Sequence, residues 1–144
     1  MQTRSLIFAL IFALVLGVDS LSNGVKSTVL NKMTDTPSTI GFIGCGTIAC
    51  AIATGLLTQT EFPVSKVYVS RRSESKSSAL SEKFGEKIVV CDDNQEIADY
   101  CDAIFVCVLP QQEEQVLRSL KLGDEKTLIS LVVRSHIIII IFFN

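Results

Sequence analysis

Between residues 38 and 133, apolar residues fall into two kinds of run. Thr39–Ile43, Lys66–Ser70, Lys87–Cys91, Ala103–Leu109 and Thr127–Val133 are short and almost continuously apolar. They are rich in β-branched and aromatic residues, as buried strands are. The segments between them have helical spacing. Thr47–Thr58 is built from Ala, Ile and Leu. Ser73–Phe84 sets Ala79, Leu80 and Phe84 in helical register, and Gly85 ends it. Asp93–Tyr100 has Asp93 or Asn94 as its N-cap. Gln111–Leu122 gathers Val116, Leu117 and Leu120 on one side, after Pro110 stops the fourth strand. Strands apolar on both faces, alternating with helices, predict an α/β fold: a doubly wound parallel sheet in a single domain, 38–133.

The two ends depart from this texture. Residues 1–20 place Arg4 ahead of an uncharged apolar stretch, Leu6–Val18, with small residues at Gly17, Ser20 and Ser22. That is the layout of a signal-peptide-like leader, shorter than a comfortable bilayer span. It predicts entry to the secretory route, with membrane contact only through the leader. Residues 21–37 are rich in Ser, Thr and Asn, and read as a linker or a transit-like segment leading onward to a plastid. Met33 as an internal start gives the alternative of a cytoplasmic form. At the other end, 134–144 is an atypical hydrophobic tail, "RSHIIIIIFFN". It reads as an edge strand, a membrane-associating end, or readthrough into an unspliced intron at or just before Val133.

Net charge is −2, which gives no basic field for nucleic acid. The five cysteines form no Cys-x-x-Cys pair and the chain has one histidine, His136, so no metal site is expected. The cysteines lie in or beside apolar runs and read as buried small hydrophobes. Cys45, near a helix start, is a candidate for a lowered pKa. His136 and the adjacent pair Glu113 and Glu114 are given no catalytic role, because neither has a defined geometry toward a reacting group.

The chemistry sits in "TIGFIGCGTIACAIATGLL". Gly44-Cys45-Gly46-Thr47-Ile48-Ala49 is G-x-G-x-x-A, directly after a predicted strand and opening a predicted helix. In that setting the motif has a mechanism. Gly44 permits the tight turn, Gly46 lets backbone approach a pyrophosphate, and Ala49 allows close helix–strand packing. N–H groups at the helix start then face the phosphates. A dinucleotide is the expected ligand and the fold is Rossmann-like. Cofactor choice follows from the end of the second strand, where NAD enzymes carry a carboxylate. Here the chain reads Ser70-Arg71-Arg72-Ser73. Guanidiniums and hydroxyls suit a 2′-phosphate, so NADP (NADPH) is expected.

Together, "GFIGCGTIACAIATGLL", "VSRRSES", "ALSEKFG" and "VCVLPQQEEQVL" resemble the N-terminal domain of the pyrroline-5-carboxylate reductase family, over about residues 38 to 132. The resemblance implies that Gly44, Gly46, Thr47 and Ile48 line the pyrophosphate, and that Ser70, Arg71 and Arg72 meet the 2′-phosphate. It places Asn94 near the adenosine, and Val108, Leu109 and Pro110 by the nicotinamide ribose. Leu109 stands where the family often has lysine. The implied reaction is NADPH-dependent reduction of a cyclic imine to proline. The family's C-terminal substrate and dimerisation domain has no counterpart in this sequence, so the chain alone is expected to be an inactive fragment with unknown catalytic residues. A homo-oligomer or a full-length partner stays open. Two alternatives remain: a β-hydroxyacid dehydrogenase or deazaflavin-dependent NADP reductase, and a non-catalytic dinucleotide-binding protein.

Overall fold

The computed structural model describes residues 38–58, 64–123, 126–134 and 137–142. The leader at 1–20, the segment 21–37 and His136 lie outside the described residues. The strands are β1 (Ser38–Ile43), β2 (Val64–Ser70), β3 (Ile88–Cys91), β4 (Ala103–Val106), β5 (Thr127–Arg134) and β6 (Ile137–Phe142). The helices are α1 (Thr47–Thr58), α2 (Glu74–Phe84), α3 (Asn94–Tyr100) and α4 (Pro110–Ser119), with a 3-10 turn at Gly85–Lys87.

The six strands make one sheet in the order β3-β2-β1-β4-β5-β6. Its first five strands are parallel, as the doubly wound reading requires. β6, Ile137–Phe142, adds to β5 antiparallel at the edge of the sheet. The order reverses between β1 and β4, which opens a crevice at their carboxyl ends.

Registers explain the core. Phe42 on β1 faces Phe105 on β4 directly, and their rings stack with centroids 5.0 Å apart. Both are fully buried, each worth about 1.5–3 kcal/mol by burial. On the other face, Ile43, Ile104, Val106 and Leu128 pack with Ile97 of α3 and Val116 of α4. α1 buries Ala49, Ala53 and Leu56, and the two alanines let the helix lie close to the sheet.

Element ends follow local chemistry. Asp93 is the N-cap of α3, and its carboxylate accepts from the Gln95 N–H at 3.0 Å. Gly85 closes α2 with φ +57°, and its N–H donates to the Ser81 carbonyl. Several ends shift by one or two residues from the sequence reading, α4 stops at Ser119 rather than Leu122, and the junction of β4 and α4 differs in kind. β4 ends at Val106 rather than Leu109, and Pro110 opens α4 at its first turn instead of merely stopping the strand. Proline has no N–H to lose there and its fixed φ suits a helix start. The apolar residues Cys107–Leu109 therefore form the crossing turn.

Candidate functional site

The carboxyl ends of β1 and β4 bring two turns together. Gly44, just past β1, has φ +95°, a region that L side chains rarely adopt. A Cβ built on it would lie 2.6 Å from the Cys107 carbonyl oxygen and 2.8 Å from that carbonyl carbon. The Cys107 N–H donates to the Ile43 carbonyl at 2.8 Å, which fixes the second turn against the first. Gly44 is thus required both by its dihedral and by a backbone neighbour. Gly46 differs: a Cβ there would meet nothing within 4 Å. The space over it is open, as a cradle for a ligand requires.

α1 starts immediately afterward. Its first internal bond runs from the Cys50 N–H to the Gly46 carbonyl, 3.0 Å. The N–H groups of Thr47, Ile48 and Ala49 precede that ladder and stay available at the positive end of the helix. Thr47 and Ile48 are exposed beside the loop. These features fit a diphosphate group: open space, unused donors and a favourable dipole.

The second strand ends at the same rim. Ser70 is buried, and its Oγ accepts the Gly44 N–H at 2.9 Å. Arg71 and Arg72 follow on an exposed turn. The Arg71 guanidinium pairs with the Asp92 carboxylate, while Arg72 has no partner among the described residues. Lys76, in the first turn of α2, donates from Nζ to Thr47 Oγ1 at 2.9 Å. Sequence reasoning missed this lysine; the signal was a cation three residues after the Arg-Arg-Ser turn. Asn94 opens α3, just after β3, and is half-buried. Val108, Leu109 and Pro110 form the turn into α4, where Leu109 is 64% exposed. The sequence-predicted residues thus lie on the turns after β1, β2, β3 and β4, all at the carboxyl edge of the sheet.

The thiols do not behave as a reactive set. Burial, reinforced by the hydrogen bond with Cys50, pushes Cys45 up to about 12. This is opposite to the lowering expected from its position near a helix start, because desolvation outweighs the dipole. Its Sγ lies 3.6 Å from Cys50 Sγ. Burial likewise raises Cys107 to about 12. No cluster of three or more metal-ligating side chains occurs among the described residues.

Residues 39–134 match the model of the family described as NADP oxidoreductase, coenzyme F420-dependent. The chain belongs to the coenzyme F420-dependent NADP oxidoreductase family. As a member of that family the domain takes NADP(H), in agreement with an arginine turn where an NAD site carries a carboxylate. Within it, the chain is related to the pyrroline-5-carboxylate reductases over part of their length. It is 31% identical to pyrroline-5-carboxylate reductase 2 of Dictyostelium discoideum over 100 residues, 69% of this chain and 30% of the relative. To the Escherichia coli (strain K12) pyrroline-5-carboxylate reductase it is 38% identical over 71 residues, 49% of this chain and 26% of that one. The chain therefore spans less than a third of these curated relatives. Among solved structures, an imine reductase from Aspergillus terreus in complex with NADPH4 and dibenz[c,e]azepine matches with a TM-score of 0.56 at 21% identity, over 69% of this chain and 33% of that one. This last likeness is one of fold.

Proposed function

We propose that this chain is the NADPH-holding part of a C=N reductase of the pyrroline-5-carboxylate type. The observation that carries the reading is one rim that joins an open glycine cradle to a turn bearing Arg71 and Arg72. In the proposal, Gly46, Thr47 and Ile48 offer backbone N–H groups to the pyrophosphate, and Gly44 holds the turn. Arg71 and Arg72, on the turn that follows Ser70 and with Lys76 on the next helix, receive the 2′-phosphate. Asn94 lies toward the adenosine. Val108, Leu109 and Pro110 flank the nicotinamide ribose, with the exposed Leu109 as an apolar surface.

When bound, the nucleotide would supply a hydride for the carbon of a C=N bond. The chain's own part is to bind, orient and exclude water around the donor. Donor and acceptor must meet in near-attack geometry for this to be fast. The described residues offer no second wall to hold an imine acid, so the acceptor is proposed to be held by structure outside residues 38–134. Turnover is then not expected from this domain by itself. The leader-like residues 1–20, with Arg4 ahead of Leu6–Val18, support entry to the secretory route.

Titration with NADPH and NADH tests the cofactor reading. The unmodified chain should prefer NADPH, and the double substitution Arg71→Ala/Arg72→Ala should cost roughly 10- to 100-fold in NADPH affinity, from about 1.5–3 kcal/mol of charge-assisted hydrogen bonding in all at this exposed turn. NADH affinity should not change. Equal affinity of the unmodified chain for both nucleotides would refute the assignment. A second reading, reduction of a deazaflavin, is favoured by the family description. Assays with pyrroline-5-carboxylate and with coenzyme F420 as acceptors, using a full-length relative carrying this domain, separate the two.

A further inference from the structure

We propose that Ser70 is a positioning residue for the glycine turn, not a ligand of the 2′-phosphate. The inference rests on the NADPH reading above and deepens it. β1 pairs with β2 as far as Phe42↔Val69, and with β4 as far as Ile43↔Val106. Gly44 lies beyond both ladders. Its positive φ turns the chain away from the sheet, so its N–H loses any strand partner. Ser70 Oγ replaces that partner at 2.9 Å across 26 residues of sequence.

The hydroxyl is anchored from below. Ser70 pairs in register with Cys91 on β3, and the next N–H, Arg71, donates to the Cys91 carbonyl at 2.9 Å. The side chain is therefore carried on a strand end held on two sides. Only 5% of the residue is exposed, whereas Arg71 and Arg72 project into solvent. A hydroxyl committed inward to the turn serves the diphosphate cradle. It does so by fixing Gly44, whose backbone in turn abuts Cys107. Alanine would leave a part-buried N–H without a partner, which lets the turn relax.

Three probes separate this role from its rivals: NADPH, NADH, and adenosine 2′-monophosphate, which has the 2′-phosphate but no pyrophosphate. For Ser70→Ala in the full 144-residue chain, both dinucleotides should bind about tenfold more weakly and the monophosphate within roughly twofold of the unmodified chain. Ser70→Thr, which keeps the hydroxyl, should restore most of the dinucleotide affinity. Arg72→Ala should show the complementary pattern, weakening NADPH and the monophosphate but not NADH. The proposal is overturned if Ser70→Ala weakens NADPH and the monophosphate while sparing NADH, for then Ser70 touches the 2′-phosphate. Unchanged binding of all three overturns it too, as does an equal loss for all three that tracks a lower unfolding midpoint. If Ser70→Ala does not fold, Ser70→Cys, similar in volume but a poor acceptor, carries the same expectation. An unmodified chain that binds neither dinucleotide sinks the parent reading as well, and that result is distinct from every pattern above.

Discussion

Gly44 and Gly46 stand two residues apart in one motif, yet the structure gives them separable jobs. Gly44→Ala places a methyl group 2.6 Å from the Cys107 carbonyl oxygen and 3.1 Å from the Val108 N, at a φ of +95°. The dihedral costs about 1–2 kcal/mol for a residue with a Cβ. The collision is with backbone, which cannot swing aside, and overpacking of this kind costs about 1–3 kcal/mol. The sum, about 2–5 kcal/mol, is a large part of the roughly 5–15 kcal/mol by which domains are stable. Thermal unfolding followed by circular dichroism should show a midpoint lowered by about 10 °C or more. Gly46→Ala meets no atom within 4 Å and has no positive φ. Its midpoint should move by only a degree or two, while the methyl intrudes into the space proposed for the pyrophosphate. Losing charge-assisted bonds there should weaken NADPH roughly 10- to 100-fold. A Gly46→Ala midpoint as low as that of Gly44→Ala would refute the division of labour. So would a Gly44→Ala chain that unfolds normally.

Two further outcomes follow from charges and thiols. Asp92→Asn releases Arg71 from its carboxylate partner; the pair is well exposed, with side chains 52% and 75% accessible. NADPH affinity should therefore rise by at most about fivefold, the scale of an exposed ion pair, with NADH unchanged; a fall in NADPH affinity would show that Asp92 helps to hold the arginine in place. Burial raises Cys45, Cys91, Cys101 and Cys107 from 9.0 to about 12. A raised thiol pKa leaves stability whole below pH 9 and erodes it as pH climbs toward 12, because the unfolded chain releases its protons first. Denaturant midpoints should be flat up to about pH 9 and then fall, and iodoacetamide at about pH 8 should label the half-buried Cys50 before the other four. Labelling of Cys45 as fast as Cys50 would contradict the burial that raises it.

Much of the architecture was legible because it rests on local signals. Thr47–Thr58 is recovered at both ends, since a glycine turn and an Ala/Ile/Leu run define it without help from elsewhere. The parallel sheet of β1 to β5 follows from alternation of strand and helix, while its strand order is read from the structure. Cys107–Leu109 was misread as strand because residues lining a crevice are as apolar as residues filling a sheet. Composition cannot tell these apart; Pro110 could have, if read as a helix opener rather than a strand stop. Contacts across long sequence separations left no such trace. Gly41 lies on a strand, where glycine is ordinarily a weakness. A Cβ there would run into Ile97 and lie 2.9 Å from Cys101 Sγ, so the glycine lets α3 press onto β1. The bonds from Gly44 to Ser70 and from Lys76 to Thr47 span 26 and 29 positions.

Those two long bonds change how the site should be understood. The motif suggests two independent subsites, a glycine loop for the pyrophosphate and an arginine turn for the 2′-phosphate. In the folded domain both long bonds run between the same two places: Ser70 from the end of β2 to Gly44, and Lys76 from α2 to the first residue of α1. Binding at either subsite therefore acts on a turn already tied to the other. Rigid coupling of this kind favours a ligand that presents both phosphates at fixed spacing, because a preorganised site loses little freedom on binding. A dinucleotide phosphorylated on its adenosine ribose meets that requirement, and fragments with one phosphate group do not. In the proposed reading the Ser70 tie supports either dinucleotide through the glycine turn, while the guanidiniums add the preference for NADPH, which is why substitutions at Ser70 and at Arg72 should read out on different probes.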